Sequence, residues 1–213
     1  MQNFSLMTEK VIKDIEQNGK KPSLLLHACC APCASYVIEY LSDFFDITLF
    51  YYNPNISPKT EYEFRLAELE QLCREHPKAK NIKILPCEYN EQEFYELAKG
   101  LENSKEGGAR CKKCYELRLN KTAEAAKKHG FDYFTTTLTI SPYKNAVWLN
   151  EIGEKLMKEY GIKYLFSDFK KKNGYKRSIE LSRKYNLYRQ DFCGCVYSKK
   201  EAEMRRLEKS NLV

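Results

Sequence analysis

Nine cysteines in 213 residues, an odd number set mostly in tight groups, carry the chemistry that this sequence advertises. Cys29-Cys30-Ala31-Pro32-Cys33 places adjacent thiols, and a third three residues on, at the start of a helical stretch. A helix N-terminus lowers a thiol's pKa and favours metal binding or redox attack. Cys111-Lys112-Lys113-Cys114 is a CxxC whose lysines act in the same direction. Brought together, the two groups supply four thiolates, enough for an iron-sulfur cluster or for a zinc that pins two loops. Adjacent thiols favour the cluster, because a lone tetrahedral ion is usually gripped by residues two to four apart. Cys33 is then spare for a second metal or as a free thiol.

A third group, Cys193-Gly194-Cys195, has a glycine that permits a tight turn between two sulfurs. A disulfide over so short a loop is readily reduced, which suits electron transfer; a metal-ligand pair or two inert thiols are the alternatives. Cys73 and Cys87 read as ordinary buried residues of a helix and a strand. His27 reads as a packed, hydrogen-bonded strand residue, and His76 and His129 as helix-end surface residues.

The elements that must position these groups alternate. An amphipathic first helix gives way at Pro22 to a buried strand, Ser23 to Ala28, that runs into the first cysteine turn. Helical spacing from Ser35 to Leu41 and a β-branched, aromatic run from Asp46 to Tyr52 follow. Further helices are predicted over 58–76, from the CxxC through Lys128, and over 144–160, with strands at 83–87, 133–138 and 163–166. This predicts an α/β fold, a three-layer sandwich on a mostly parallel sheet, with ligands at the carboxyl ends of the strands. The whole chain reads as one α/β domain, with a core at 1–168 and a basic C-terminal helical extension at 169–213 covering the site.

A net charge of +7 makes a polyanion a plausible partner. Cations interleave with tyrosines from Lys170 to Gln190, and Lys176, Arg177, Arg183, Tyr188 and Arg189 are the candidate contacts to RNA: phosphate-binding cations beside stacking platforms. A solvated helix face with core tyrosines is the alternative. No stretch is apolar enough for a signal core or a membrane span, so a cytoplasmic protein is expected. GxGxxG, Walker A and HExxH motifs are absent, leaving ATP or NAD binding without support.

The blocks LLLHACCAPCASY at 24–36, YYNPNISPKTEYEFRL at 51–66, CKKCYELRL at 111–119, SPYKN at 141–145 and YRQDFCGC at 188–195 together resemble the cobalamin-independent epoxyqueuosine reductases called QueH. The resemblance implies a Rossmann-like fold related to adenine-nucleotide hydrolase-like proteins. It also implies a 4Fe-4S cluster on Cys29, Cys30, Cys111 and Cys114, and a redox-active disulfide of Cys193 and Cys195. A second, mononuclear iron near Cys33 is implied in some members. The implied reaction is the two-electron deoxygenation of epoxyqueuosine in tRNA, the last step of queuosine formation, fed by an electron donor that the residues do not identify. Asp191 or Tyr115 is a candidate proton donor, with a purely structural role the equal alternative for each. A cluster-dependent tRNA sulfur-transfer enzyme and a zinc-stabilised RNA-binding module without catalysis are the competing readings.

Overall fold

The computed structural model describes residues 2–210. Five short strands, β1 (Ser23–His27), β2 (Asp46–Phe50), β3 (Lys83–Leu85), β4 (Tyr133–Thr136) and β5 (Lys163–Tyr164), form one sheet in the order β3-β2-β1-β4-β5. Every pairing is parallel, with Leu25 opposite Thr48 on one side and Phe134 on the other. The chain fills one half of the sheet and then the other, so the order reverses between β1 and β4. Such a reversal opens a crevice beyond the carboxyl ends of the two strands.

Side-chain alternation along β1 divides the core. Leu24 and Leu26 face helices α1 (Phe4–Asn18), α2 (Ala31–Leu41) and α3 (Lys59–Glu75), while Leu25 faces α5 (Ala109–His129) and α6 (Ala146–Tyr160). All three leucines are fully buried. Near-continuous apolar strands of this kind belong to a parallel sheet covered on both faces, and the three-layer α/β architecture is the expected one.

The differences from the expected elements have local causes. α4 (Gln92–Ala98) has only seven residues, too few for a clear period. The expected fourth strand stops at Thr136 because the chain turns into a 3-10 helix over Thr137–Ile140, whose first turn the Thr136 hydroxyl caps by accepting from Leu138 N–H. α7 (Gly174–Lys184) lies within the basic, tyrosine-rich segment and buries Leu181 in the same core as α2, with Tyr185 and Leu187 just beyond it. α7 starts at a close approach: a Cβ at Gly174 would lie 2.0 Å from the Phe169 carbonyl. The last helix, α8 (Val196–Ser210), follows the third cysteine group directly. No described helix is long and apolar enough to cross a membrane.

Two histidine readings part ways. His27 is fully buried; its Nε2–H donates to the Tyr52 carbonyl at 3.1 Å, and Nδ1 accepts from the Thr136 hydroxyl at 2.8 Å. Burial, with Arg118 adding to it, pulls its pKa down to about 4, so the ring is neutral. His76 is not a surface residue: it is 3 % exposed, packs on Tyr185 and accepts Lys78 N–H at its Nδ1. Its helix-end position was readable, but not α7 closing over it. Thr136→Val leaves two buried groups, His27 Nδ1 and Leu138 N–H, without their partner. It is expected to lower stability by about 1–3 kcal/mol; a urea midpoint equal to that of the unsubstituted protein would show that the network contributes nothing.

Candidate thiol centre

Three helices begin at the three cysteine groups. Cys30 is the N-cap of α2, Cys111 lies in the first turn of α5, and Cys195 immediately precedes α8. Each start leaves backbone N–H groups without helical partners, and at α8 sulfur takes one of them. Ser198 N–H points at Cys195 Sγ at 3.4 Å, and Gly107 N–H, just ahead of α5, points at Cys111 Sγ at 3.2 Å. Cys29, between the end of β1 and α2, is tied across the sheet reversal by its N–H to the Thr137 hydroxyl at 3.3 Å.

The structure brings Cys29, Cys30 and Cys33 together with all three sulfurs within 4.8 Å of one another. Cys29 and Cys30 sulfurs are 3.8 Å apart, the separation of roughly 3.8 Å that two thiolates adopt on one tetrahedral ion with bonds of about 2.3 Å. The trio can therefore hold a metal. Hydrogen bonds from Cys29 and then Cys33, aided by the Arg65 charge, hold the Cys30 thiol well below the ordinary thiol range. Hydrogen bonds with Cys29 and then Cys30, together with burial, push Cys33 well above it. Within the trio the thiolate is thus favoured at Cys30 over Cys33.

Cys111 and Cys114 stand on α5 outside that tight trio. Cys114 packs with Cys195 and Phe94, and burial pushes its pKa up to about 12 against the pull of Arg118. Cys193 is half-buried, whereas Cys195 is 6 % exposed behind it, and no disulfide joins them. Gly194 between them has φ +116°, a left-handed value, and a Cβ there would come within 3.0 Å of both Arg65 Nη1 and Ile56 Cγ1. Arg65 Nη1 donates to the Cys193 carbonyl at 3.2 Å and Ser57 N–H to the Gly194 carbonyl at 3.1 Å, which clamps the loop to the start of α3.

Cys29, Cys30, Cys33 and Cys193 wall one cavity of about 900 Å³. Arg65, Arg118 and Lys144 line it too, and with Arg110 behind they form a set of buried cations that sequence reasoning missed as site residues. Arg110 and Arg118 had a local signal: they flank Cys114 at four residues on either side and so share its face of α5. Lys144 is held charged by Cys193, Tyr115 and Glu106 although burial opposes it.

Of the expected RNA contacts, only Arg189 lines the cavity; it lies over Tyr175 and donates to Ser182 Oγ at 3.2 Å. Lys176 and Arg183 are exposed on α7, and Tyr188 is exposed beside Phe64. Arg177 is engaged elsewhere, gripping the two Glu39 oxygens at 2.8 and 2.9 Å and Glu180 at 3.1 Å. Asp191 also lines the cavity, paired with Arg206, but Tyr115 is buried behind its wall.

A thiol cavity backed by buried cations, at the reversal of a parallel sheet, defines a Rossmann-like protein with a metal- and redox-capable centre. A family model described as Epoxyqueuosine reductase QueH matches residues 24–201. Relatives of that name are 44% identical in Staphylococcus epidermidis (92% of this chain, 84% of the relative) and 45% identical in Streptococcus pyogenes serotype M1 (93% and 78%). One in Thermotoga maritima is 34% identical over 87% of this chain and 95% of its own length. The chain belongs to the QueH family.

Proposed function

We propose that the chain is an oxidoreductase, an epoxyqueuosine reductase, that removes the epoxide oxygen of epoxyqueuosine in tRNA. The reading is carried by the cavity walled with Cys29, Cys30, Cys33 and Cys193 in a chain of this family. The reaction consumes two electrons and two protons, turning the epoxide into an alkene and water. A pair of thiols closing to a disulfide releases two electrons and two protons, so Cys193 and Cys195 balance one turnover. Cys193 faces the cavity and Cys195 lies behind it, so the external electron donor that reopens the disulfide attacks at Cys193.

We assign Cys29, Cys30, Cys111 and Cys114 to a 4Fe-4S cluster and Cys33 to an adjacent iron. The donor set fits such a group: four cysteines at two helix starts, a backbone N–H on Cys111 sulfur, and a buried Arg118 Nη2 without any hydrogen-bond partner. A bound cluster supplies electrons singly, and an adjacent iron supplies a Lewis acid for the epoxide oxygen. Asp191 stands at the cavity wall as a carboxylate gripped by Arg206, which holds its pKa below the ordinary carboxylate range.

For the nucleic acid, Lys176, Arg183 and Arg189 meet phosphate and Tyr188 offers a stacking face, while Arg177, paired with Glu39 and Glu180, is assigned no phosphate. The C-terminal extension, whose residues 211–213 lie outside the described residues, contributes Arg189, Asp191, Cys193 and Arg206 to the cavity wall within a single unit, and a tRNA substrate places the protein in the cytoplasm.

The test is iron, zinc and acid-labile sulfide content of anaerobically purified protein, with conversion of epoxyqueuosine tRNA under a chemical reductant followed by nucleoside mass spectrometry. Iron with sulfide and formation of queuosine are expected. Stoichiometric zinc without sulfide and no conversion would return the protein to a zinc-stabilised RNA-binding module, and ATP-dependent sulfur labelling of tRNA to a sulfur-transfer enzyme.

A further inference from the structure

Three of the four buried cations around the thiols have a carboxylate in ion-pair range: Arg65 with Glu61 at 2.7 Å, Arg110 with Glu201 at 3.5 Å and Lys144 with Glu106 at 3.5 Å. Arg118 has none among the described residues, although it is 1 % exposed. Its Nε donates to the Cys114 carbonyl at 3.4 Å and its Nη1 to Asn53 Oδ1 at 3.3 Å. Asn53 in turn donates to the Ala28 carbonyl at 2.9 Å, so the guanidinium is held between α5, the loop after β2 and the end of β1. Nη2 has no partner, and the residue lines the cavity.

A buried charge without a counter-charge is strongly destabilising. Sulfurs, not carboxylates, stand around it: Cys29 and Cys193 line the same cavity. Cys114 lies one helical turn before it on α5, and Cys29 sits at the sheet reversal opposite. The fold thus builds a site for negative charge at the point where two cysteine groups face one another.

We propose that Arg118 is a positioning residue whose uncompensated charge and free N–H group face an anionic iron–thiolate centre held by Cys29 and Cys114, and set how readily that centre accepts an electron. The proposal rests on the cluster assignment above. A thiolate-held cluster is anionic and becomes more so on reduction, so an adjacent fixed cation stabilises the reduced form and raises the potential. The other three cations contribute less, because each is already offset by a carboxylate.

The experiment compares holoprotein bearing Arg118→Gln or Arg118→Lys with the unsubstituted holoprotein: iron and sulfide per chain, then a redox titration followed by electron paramagnetic resonance. Arg118→Lys is expected to keep the cluster at a midpoint potential near the original. Arg118→Gln is expected to move the midpoint to more negative potential, or to lose iron that the lysine variant keeps. Full iron and an unchanged midpoint in Arg118→Gln overturn the proposal. So does equal loss of iron in both variants, which makes the residue one of packing and shape. Lys128→Gln, exposed in the last turn of the same helix, controls for net charge and should leave the midpoint unmoved. An unsubstituted protein without iron or sulfide overturns the cluster assignment, and this inference with it.

Discussion

Cys30→Ala is expected to abolish iron incorporation and turnover together, with activity falling on the order of a thousandfold or more. Cys30 is 3 % exposed, and hydrogen bonds with Cys29 and then Cys33, with Arg65 adding its charge, hold its thiol well below the ordinary range. Its loss removes one of the three sulfurs that lie within 4.8 Å of one another. The fold should survive, because the cap position makes no side-chain hydrogen bond to α2 and alanine is small enough to fit. Circular dichroism and a urea midpoint close to the original, combined with loss of iron by elemental analysis, is the expected pattern. Retention of full iron and normal conversion by this variant removes Cys30 from the ligand set.

Cys193→Ser is expected to separate what Cys30→Ala loses together. The variant should keep the visible spectrum and metal content of the unsubstituted protein yet stop after the electrons already stored are spent, with multiple-turnover rate down by roughly a hundredfold or more. Cys193 faces the cavity beside Lys144, and its carbonyl and that of Gly194 are clamped by Arg65 and Ser57. The clamp is backbone-mediated, so serine preserves it while removing the thiol. Cys73→Ser is the matched control: Cys73 lies on α3 away from the cavity and should be silent in both measurements. If Cys193→Ser turns over through many cycles at the original rate, the thiol pair has no part in the electron path.

The strands were legible because their apolar runs are short and bounded. Leu24-Leu25-Leu26 and the Ile47-to-Phe50 run announce buried parallel strands without reference to any partner. The start of α2 was less so: its first turn, Ala31-Pro32-Cys33, reads as loop until the proline is recognised as a first-turn residue. α7 was obscured by its cations. Its apolar side, where Leu181 is buried, amounts to a few positions, and only packing against α2 shows that it belongs to the core.

By itself the sequence determined the alternation of helix and strand, the three thiol groups and the turn that Gly194 permits, because each is a local property of period, spacing or backbone freedom. Tertiary structure decided which thiols meet and which charges are free. Cys33 joins Cys29 and Cys30 because α2 winds its first turn over them, and Cys114 meets Cys195 because α8 begins beside α5. Arg177, prominent in the sequence as a free cation, is spent on Glu39, 138 residues away, while Arg118, inconspicuous in a helix rich in lysine, is the buried cation left without a carboxylate. Such pairings depend on distances across the sheet, and no spacing along the chain encodes them.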